Sequence, residues 1–322
     1  MSARLDLRLP EVVELATLNT AELDPLFQEE IQVWEKRFDW DFRPSADLLR
    51  RFVQLHSLSG YALVSGQSVA GYTYFVTEGR KGLIGDFFLR SEYATSSNEM
   101  SLLGATVQGL MLVSGIRRIE TQLMTIRMPL TQPLPFSQYA SRYDRLFMEV
   151  DRGTIARLAP ATVGHAVKFH AWAERFNEEI AHLVAAAYRG HIDSEINDQY
   201  RTIPGARHFL GNIIRYPGCG TFSAEGSVVA IDSKSGRVCG AALASTVSPT
   251  SGHITQLCIL PAIRGARLGY ELLRQALVRL SSLGCGTVSL TVTASNAGAI
   301  RLYESVGFRS VSTFPALVWE GF

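Results

Sequence analysis

A turn with two glycines and two arginines, "RGARLG" at residues 264–269, stands between an apolar run and an amphipathic segment. The N-terminus of a helix carries unpaired backbone N–H groups and a partial positive charge, and both favour a bound phosphate. Glycine lets the backbone approach such an anion closely, and arginine adds charge-assisted hydrogen bonds. The turn therefore predicts a phosphate-binding loop, with ordinary turn geometry and solubility as the alternative explanation of the same residues.

The apolar run before this turn, "HITQLCIL" at residues 253–260, carries polar side chains but no carboxylate. A histidine titrates near neutral pH, so His253 is a candidate general base, with a solvated side chain at an exposed strand start as the alternative. A water relay through Gln256 is the second candidate. Strand alternation predicts that His253 and Thr255 share one face and that Gln256 lies on the other.

A third group of polar side chains lies in the loop "YRGHIDSEINDQYR", residues 188–201. A carboxylate there, Asp193 or Glu195, would orient an ammonium group, and Asn197 and Tyr200 are further candidates for substrate contact. The alternative interpretation is a solvated helix start that Asp193 or Ser194 caps.

The elements that must position these residues follow a regular order in the second half of the chain. In the first predicted helix Ile180, Leu183, Val184 and Ala187 share one face. The pattern predicts a helix within 177–190, a second helix ending at Tyr216, strands at 227–232, 237–247 and 253–260, a helix at 267–283, a strand at 287–292, a helix at 297–306, and two strands at 308–314 and 316–322.

The first half repeats this order less clearly. It predicts helices near 23–38 and 46–56, three strands within 61–89, a helix at 98–114 and a strand at 117–124. Three prolines, Pro129, Pro133 and Pro135, then exclude a regular helix. We expect a tandem duplication joined near residues 153–164, with a degenerate domain at 1–158 and a functional domain at 159–322. One continuous α/β domain is the alternative.

The element order, together with "LCILPAIRGARLG" and "ASNAGAIRLYESVGFR", resembles the GNAT superfamily of acyl-coenzyme A N-acyltransferases. The resemblance covers roughly residues 168–322, and for the first half it rests on element order alone. It implies an α/β (α+β) fold of two GNAT-like domains, each a mixed, mainly antiparallel sheet flanked by helices. Seven residues fit the second family signature: Asn296, Ala299, Leu302, Tyr303, Glu304, Gly307 and Phe308.

This resemblance assigns roles to residues at three places. The backbone of Leu257, Cys258 and Ile259 would hold the pantetheine arm on a fourth strand that bulges and separates from the fifth. Tyr303 would give a proton to the coenzyme A sulfur. Asn296 would cap the short helix or hydrogen-bond the pantetheine arm. The loop that would hold the pyrophosphate consists of Arg264, Gly265, Ala266, Arg267, Leu268 and Gly269.

Arg267 departs from the family pattern, because a glycine is usual at its position. If the loop needs a positive φ there, the arginine costs on the order of 1–2 kcal/mol. If the backbone is right-handed, nothing is lost, and the side chain would reach a phosphate of coenzyme A. Both outcomes are open from the sequence.

The matching turn of the first half, "RSEYATSSNEMSLLG" at residues 90–104, has no glycine before Gly104. It carries Glu92 and Glu99, which would repel an anion. We therefore predict that the first domain does not bind coenzyme A and serves a structural role or forms a wall of the acceptor site.

Composition sets the wider limits. The 31 Lys and Arg residues nearly balance 30 Asp and Glu, so neither nucleic acid nor an acidic membrane is expected as the main partner. The apolar runs fall short of the ~20 residues of a membrane helix, and residues 1–16 lack a signal-peptide core. Four cysteines without metal-ligand spacing predict free buried thiols and no metal site. We expect a cytoplasmic monomer or homodimer.

The functional hypothesis is transfer of an acetyl group from acetyl-CoA to a primary amine of a small-molecule or peptide acceptor. One alternative is a non-catalytic acyl-CoA-binding sensor, in which Arg267 and the absent strand carboxylate reflect lost catalysis. Another is a transferase that uses a different acyl chain or a hydroxyl acceptor.

Overall fold

The structure is a computed structural model that describes residues 10–127, 129 and 131–322. The chain forms two compact units. Unit 1 contains the described residues up to Phe38, together with Phe42–Tyr143 and Phe314–Phe322. Unit 2 contains Asp39–Asp41 and Asp144–Thr313. The sequence predicts a boundary between two duplicated domains, 1–158 and 159–322. The two compact units do not test that duplication, so this boundary stays a prediction.

Unit 1 is a mixed sheet flanked by helices. Its strand order is β1-β2-β3-β4-β5-β13, in which β4 and β5 are parallel and the other pairs are antiparallel. Its elements are β1 (Glu11–Glu14), α1 (Thr20–Phe38), α2 (Arg43–Gln54), β2 (Ser59–Ser65), β3 (Ser68–Glu78), β4 (Lys81–Leu89), α3 (Ser96–Leu112), β5 (Arg118–Gln122), the first residues of β6 (Ala140–Asp151) and the second part of β13 (Arg309–Glu320).

The second part of β13 completes the core of unit 1. Residues 316–320 pair with β5, and Trp319 is fully buried among apolar side chains of β4 and α3. Its indole Nε1–H donates to the carbonyl of Pro135 at 2.7 Å. The edge of β5 is thereby closed by residues that lie almost 200 positions later in the sequence.

Unit 2 has the same architecture. Its sheet has the order β6-β12-β11-β10-β9-β7 with β8 on β10, and only β11 and β12 among these pairs are parallel. Its elements are the second part of β6, α4 (Arg152–Ile155), β7 (Val167–Ala171), α5 (Asn177–Ala187), α6 (Asp193–Ile196), α7 (Ile203–Arg215), β8 (Thr221–Phe222), β9 (Val228–Asp232), β10 (Val238–Ser248), β11 (Ser251–Ile259), α8 (Leu268–Ser282), β12 (Thr287–Thr293), α9 (Ala297–Val306) and the first part of β13.

The sheet of unit 2 separates two apolar cores. One core packs α8 and α9 against alternate residues of the strands, including Ile254 and Leu290. The other packs α5 and α7 against the opposite residues, including Leu243 and Cys258. The apolar face predicted for α5 is confirmed, since all four of its residues are buried.

The helices and strands predicted for both halves are confirmed within a few residues, and the fold class is confirmed with them. One prediction is wrong: residues 309–320 form a single strand rather than two strands separated at Pro315. Proline interrupts a strand only at a position where the neighbouring strand needs a backbone N–H from it. At Pro315 the carbonyl makes the contact instead, and it accepts the Leu123 N–H at 3.0 Å. The strands β1, β6, β7 and β8 were not predicted.

Three further expectations concern the described residues. All four cysteines are free; three are buried and Cys219 is half-buried. Within the described ranges, no group of three or more His, Cys, Asp or Glu side chains is arranged to hold a metal ion. No helix in the described part of the chain has the length and apolar character needed to cross a bilayer. The segment predicted to lack a regular helix includes residues 128 and 130, which lie outside the described residues.

Candidate active site

The sheet of unit 2 opens between β11 and β12. The two strands pair only where Ser251–Ile254 lie beside Thr287–Leu290, although β11 continues to Ile259 and β12 to Thr293. Residues 257–259 keep their pairing to β10, so only the edge that faces β12 lacks a strand partner there. An extended ligand can therefore pair with this edge of β11, as a strand would.

A β-bulge at Thr255 changes which residues face the opening. The register to β10 shifts between Ile254 and Gln256, so Thr255 has no opposite residue. Ile254 and Leu257 consequently pack in the same core, although strict alternation would separate them. The prediction that His253 and Gln256 lie on opposite faces is therefore wrong, because the extra residue brings both onto the α5 side of the sheet.

The loop before α8 has the backbone of an anion site. Gly265 has φ +83°, and a Cβ there would meet open space. Arg267 is the N-cap of α8 in the left-handed region, at φ 61° and ψ 10°, and no side chain caps this helix. The first N–H groups of α8 therefore have no intrahelical acceptor and no side-chain cap. Of the two backbone conformations considered for Arg267, the structure has the left-handed one, which costs energy for a residue other than glycine.

The other loop residues pack against the ends of neighbouring elements. Arg264 donates from Nη2 to the carbonyl of Ala187 at 2.7 Å, so its guanidinium binds the C-terminus of α5. A Cβ on Gly269 would lie 3.0 Å from Ile259 Cδ1 and 3.5 Å from Leu302 Cδ2. The start of α8 thus lies directly beside the end of β11 and the middle of α9. Ala266 accepts the Gly164 N–H and Leu268 is buried.

Tyr303 extends from α9 into this region and is 9% exposed. Burial raises its pKa, and the nearby charge of Asp193 adds to the increase, while Arg145 opposes it. Its hydroxyl has no hydrogen-bond partner among the described residues. Tyr303 therefore holds its proton at neutral pH and is free to donate it.

Asn296 is the N-cap of α9. Its Oδ1 accepts the Ala299 N–H at 3.2 Å, and its Nδ2 lies 3.3 Å from His191 Nε2. Of the two predicted roles, the structure shows the cap. A hydrogen bond from Asn296 to a pantetheine arm stays a prediction.

Asp193 lies inside a polar cluster on the same side of the sheet. Its Oδ1 accepts from the hydroxyl of Thr293 and lies 3.4 Å from Arg145 Nη1, and 15% of its side chain is exposed. Arg145 also donates to Thr293 at 3.2 Å and to Thr291 at 2.9 Å. The Nε of Arg145 is buried without a partner. The cluster fixes one carboxylate close to Tyr303 through residues of β6 and β12.

The remaining residues of the polar loop are arranged differently. Glu195 pairs with Arg201 at 2.9 Å and is half-exposed, so its carboxylate points away from the cluster. Asn197 accepts the Gln199 N–H at 3.0 Å and caps a short 3-10 helix. Tyr200 stacks on Tyr188 with ring centroids 4.6 Å apart and therefore lies on the α5 side of the site.

Gln256 and Cys258 face α5. Gln256 donates from Nε2 to the hydroxyl of Tyr188 at 2.6 Å and is 5% exposed. Burial raises the pKa of Tyr188, and the charge of Asp193 adds to it. Burial also raises the pKa of Cys258 to about 12, so its thiol stays protonated. Tyr188 and Cys258 therefore stay protonated at neutral pH, and the role of Gln256 in a water relay stays a prediction.

His253 is not at an exposed strand start, and that expectation is wrong. It is 5% exposed and lies between Trp40, at a centroid distance of 5.1 Å, and Phe147, at 6.4 Å. Its Nδ1 contacts Ser289 Oγ at 2.9 Å. Burial, with the charge of Arg145, lowers its pKa to about 3. Such an imidazole is a weak proton acceptor at neutral pH, so this surrounding does not favour His253 as the base.

Sequence reasoning missed Arg145, Tyr188 and the two threonines of β12. Thr291 and Thr293 alternate with apolar residues in "TVSLTVT", which was a usable signal for polar side chains on one face. Arg145 gave no such signal, because β6 was not predicted and its partners lie almost 150 residues away.

The corresponding region of unit 1 is filled by its own chain. β4 and β5 also separate beyond Ile84, but Thr125 donates its hydroxyl to the carbonyl of Phe87 on the exposed edge. At the start of α3, Glu99 is 1% exposed and its Oε1 accepts the Arg127 N–H at 2.8 Å. A carboxylate therefore occupies the helix start at which unit 2 has an uncapped loop.

Comparisons with known proteins agree with this architecture. Residues 194–308 match the sequence model of the Acetyltransferase (GNAT) family. No curated protein sequence matches the chain. Among solved structures, the chain is similar to a GCN5-related N-acetyltransferase from Sphaerobacter thermophilus, with a TM-score of 0.64 and 13% identity over 97% of this chain and 95% of that chain.

Two further solved structures extend the likeness. A tandem GNAT protein from the clavulanic acid biosynthesis pathway has a TM-score of 0.53 and 13% identity over 97% of this chain and 98% of that chain. A GNAT-family acetyltransferase from Colwellia psychrerythraea has a TM-score of 0.54 and 12% identity over 97% and 100%. At these identities the likeness establishes the fold.

The fold is thus that of a tandem GNAT protein. Residues 194–308 match the model of the GNAT acetyltransferase family, in agreement with the sequence motifs. The family in general carries out acyl-CoA-dependent N-acetyl transfer.

Proposed function

We propose that unit 2 transfers an acetyl group from acetyl-CoA to a primary amine on a small molecule or peptide. One observation supports the proposal most directly: Tyr303, which is 9% exposed and close to Asp193 and Arg145, lies beside the strand opening that would receive a thioester. The start of α8 packs on Ile259 and Leu302, so the phosphate loop, the opening and Tyr303 belong to one continuous region.

The loop residues fit the proposed cosubstrate. The start of α8 has no side-chain cap, and Gly265 leaves open space where a side chain would stand. Arg264 binds Ala187 and so contributes to the shape of the loop, whereas Arg267 is exposed and adds positive charge. Backbone donors and charge of this kind favour a pyrophosphate.

The residues that would receive the acceptor suit a positively charged group. Asp193 is the carboxylate nearest to Tyr303 among the predicted substrate contacts, and Tyr188 and Tyr200 add aromatic surface. In the proposed reaction Asp193 orients the ammonium, the backbone of β11 aligns the thioester, and Tyr303 gives its proton to the departing sulfur. Positioning and proton transfer of this kind account for most of the expected acceleration.

The test is a thiol-release assay on the full chain with acetyl-CoA and a panel of primary amines. Tyr303→Phe should lower kcat by about 10²–10⁴-fold, because general acid catalysis contributes this much, while the Kd of coenzyme A changes little. Tyr216→Phe, at a tyrosine that is 57% exposed, is the matched control and should keep full activity.

Three results would contradict the proposal or part of it. Tight binding of acetyl-CoA without thiol release across the amine panel would favour the sensor alternative. Release only with longer acyl donors, or only with hydroxyl acceptors, would favour the other transferase reactions. Full activity of Tyr303→Phe would remove its role as the acid.

A further inference from the structure

His191 lies in the connection between α5 and α6, at the end of the strand opening. Its ring packs edge-on against Tyr188, with centroids 5.2 Å apart, and Tyr188 is bound to Gln256 of β11. On its other side, His191 Nε2 lies 3.3 Å from Nδ2 of Asn296, which stands between β12 and α9. The imidazole thus contacts residues that belong to both sides of the opening.

The surroundings of this histidine differ from those of His253. Its side chain is 26% exposed, so protons and solvent reach it. Its Nδ1 accepts the backbone N–H of Asp193 at 3.1 Å and lies 3.7 Å from the Oδ2 of that carboxylate. The titratable and charged groups that face it are Tyr188 and Asp193, and Arg145 reaches it through Asp193.

The neutral ring of His191 has one lone pair, and two hydrogen-bond donors compete for it. Two donors, the Asp193 N–H and the Asn296 amide, face its two ring nitrogens, and a neutral imidazole has only one acceptor nitrogen. With the lone pair on Nδ1, the ring accepts the Asp193 N–H. With it on Nε2, the ring accepts the Asn296 amide, and a substrate ammonium that takes the place of this amide would donate to Nε2.

We infer that His191 is the general base that deprotonates the acceptor ammonium, and this inference rests on the proposed function. Asp193 would hold the ammonium next to the ring, and one proton would pass from nitrogen to His191. The amine would then form the C–N bond as the C–S bond breaks. Tyr303 would give its proton to sulfur and recover one from the new amide nitrogen, and His191 would release its proton to solvent. The products are the amide, free coenzyme A and one proton.

His191→Asn tests this role with little change in shape. The asparagine Oδ1 takes the place of Nδ1 and can still accept the Asp193 N–H, but it cannot take a proton. We expect kcat/KM to fall by at least about 10²-fold and the acidic limb of its pH profile to disappear. Added imidazole should restore part of the rate, which a purely structural role would not allow. The Kd of coenzyme A should stay within a factor of about three.

His182→Asn is the matched control, since His182 is half-exposed on α5 and pairs with Glu178. It should keep the wild-type rate and pH profile. A wild-type pH profile in His191→Asn overturns the inference and leaves the proposed function standing. Absence of thiol release by the wild-type chain overturns both. Loss of rate in His191→Asn with an unchanged acidic limb would assign His191 to positioning, against the inference.

Discussion

At the scale of single residues, the strain at Arg267 gives the sharpest prediction. Arg267 has a left-handed backbone, which costs a residue with a Cβ about 1–2 kcal/mol. We expect the loop to keep this conformation when coenzyme A binds, so a glycine should add stability and change the affinity only through the lost charge. Arg267→Gly should raise the free energy of unfolding by about 0.5–1 kcal/mol and weaken coenzyme A binding several-fold.

Urea denaturation and titration calorimetry measure these two effects separately. Arg267→Ala is the control, because it removes the same charge and keeps the strained backbone. It should weaken coenzyme A binding as much as Arg267→Gly but bring no gain in stability. Tighter binding in the glycine variant would show that the loop changes conformation when the ligand arrives.

Single residues also show what sequence reasoning could reach. Tyr303 and the cap at Asn296 follow from a local motif, and α9 has the predicted bounds because helix signals are local. The partners of Arg264 and Arg145 could not be found in this way. Ala187 and Thr293 come to these arginines only through tertiary packing, and no local pattern encodes that proximity.

At the scale of elements, a buried histidine bridges the paired part of β11 and β12. His253 contacts Ser289 across the two strands where they still pair. Its pKa is about 3 in the folded chain and about 6.5 when unfolded. The unfolded chain therefore binds more protons below pH 6.5, so this histidine reduces stability as the pH falls from 6.5 to 3 and has no such effect above 6.5.

His253→Gln should consequently make stability less sensitive to acid. We expect the free energy of unfolding to fall less steeply between pH 6.5 and 4 than in the wild type, by up to about 1.4 kcal/mol per pH unit. Urea midpoints at pH 7.5, 6 and 5 measure this slope. His182→Gln, at an exposed histidine, should keep the wild-type slope. Equal slopes in all three proteins would mean that His253 titrates normally.

Elements also explain the largest sequence error. Alternation of side chains is reliable only within an unbroken ladder, and the bulge at Thr255 shifted every later residue of β11 to the other face. The same bulge brings Gln256 to Tyr188 and directs the unpaired edge of β11 into the site. The family resemblance implied a bulge in this strand, but no residue type in "HITQLCIL" marks its position, and the structure places it at Thr255.

At the scale of the whole molecule, the two units predict one coenzyme A per chain. Unit 1 has Glu99 at the start of α3 and Thr125 on the edge of β4, and both would exclude a pantetheine phosphate. Calorimetry with coenzyme A should give a stoichiometry close to one, and Glu99→Gln should not change it. A second binding event in the wild type would contradict the predicted loss of binding in unit 1.

The return of residues 314–322 to unit 1 bears on how the protein is made. On the ribosome, the edge of β5 stays unpaired until almost 200 further residues have been made, which takes roughly 10–40 s at ordinary rates of synthesis. During that time an unpaired strand edge is available to other chains, which makes it a site for aggregation. The N-terminal half should therefore depend on chaperones during translation, and its gene fragment alone should yield insoluble product.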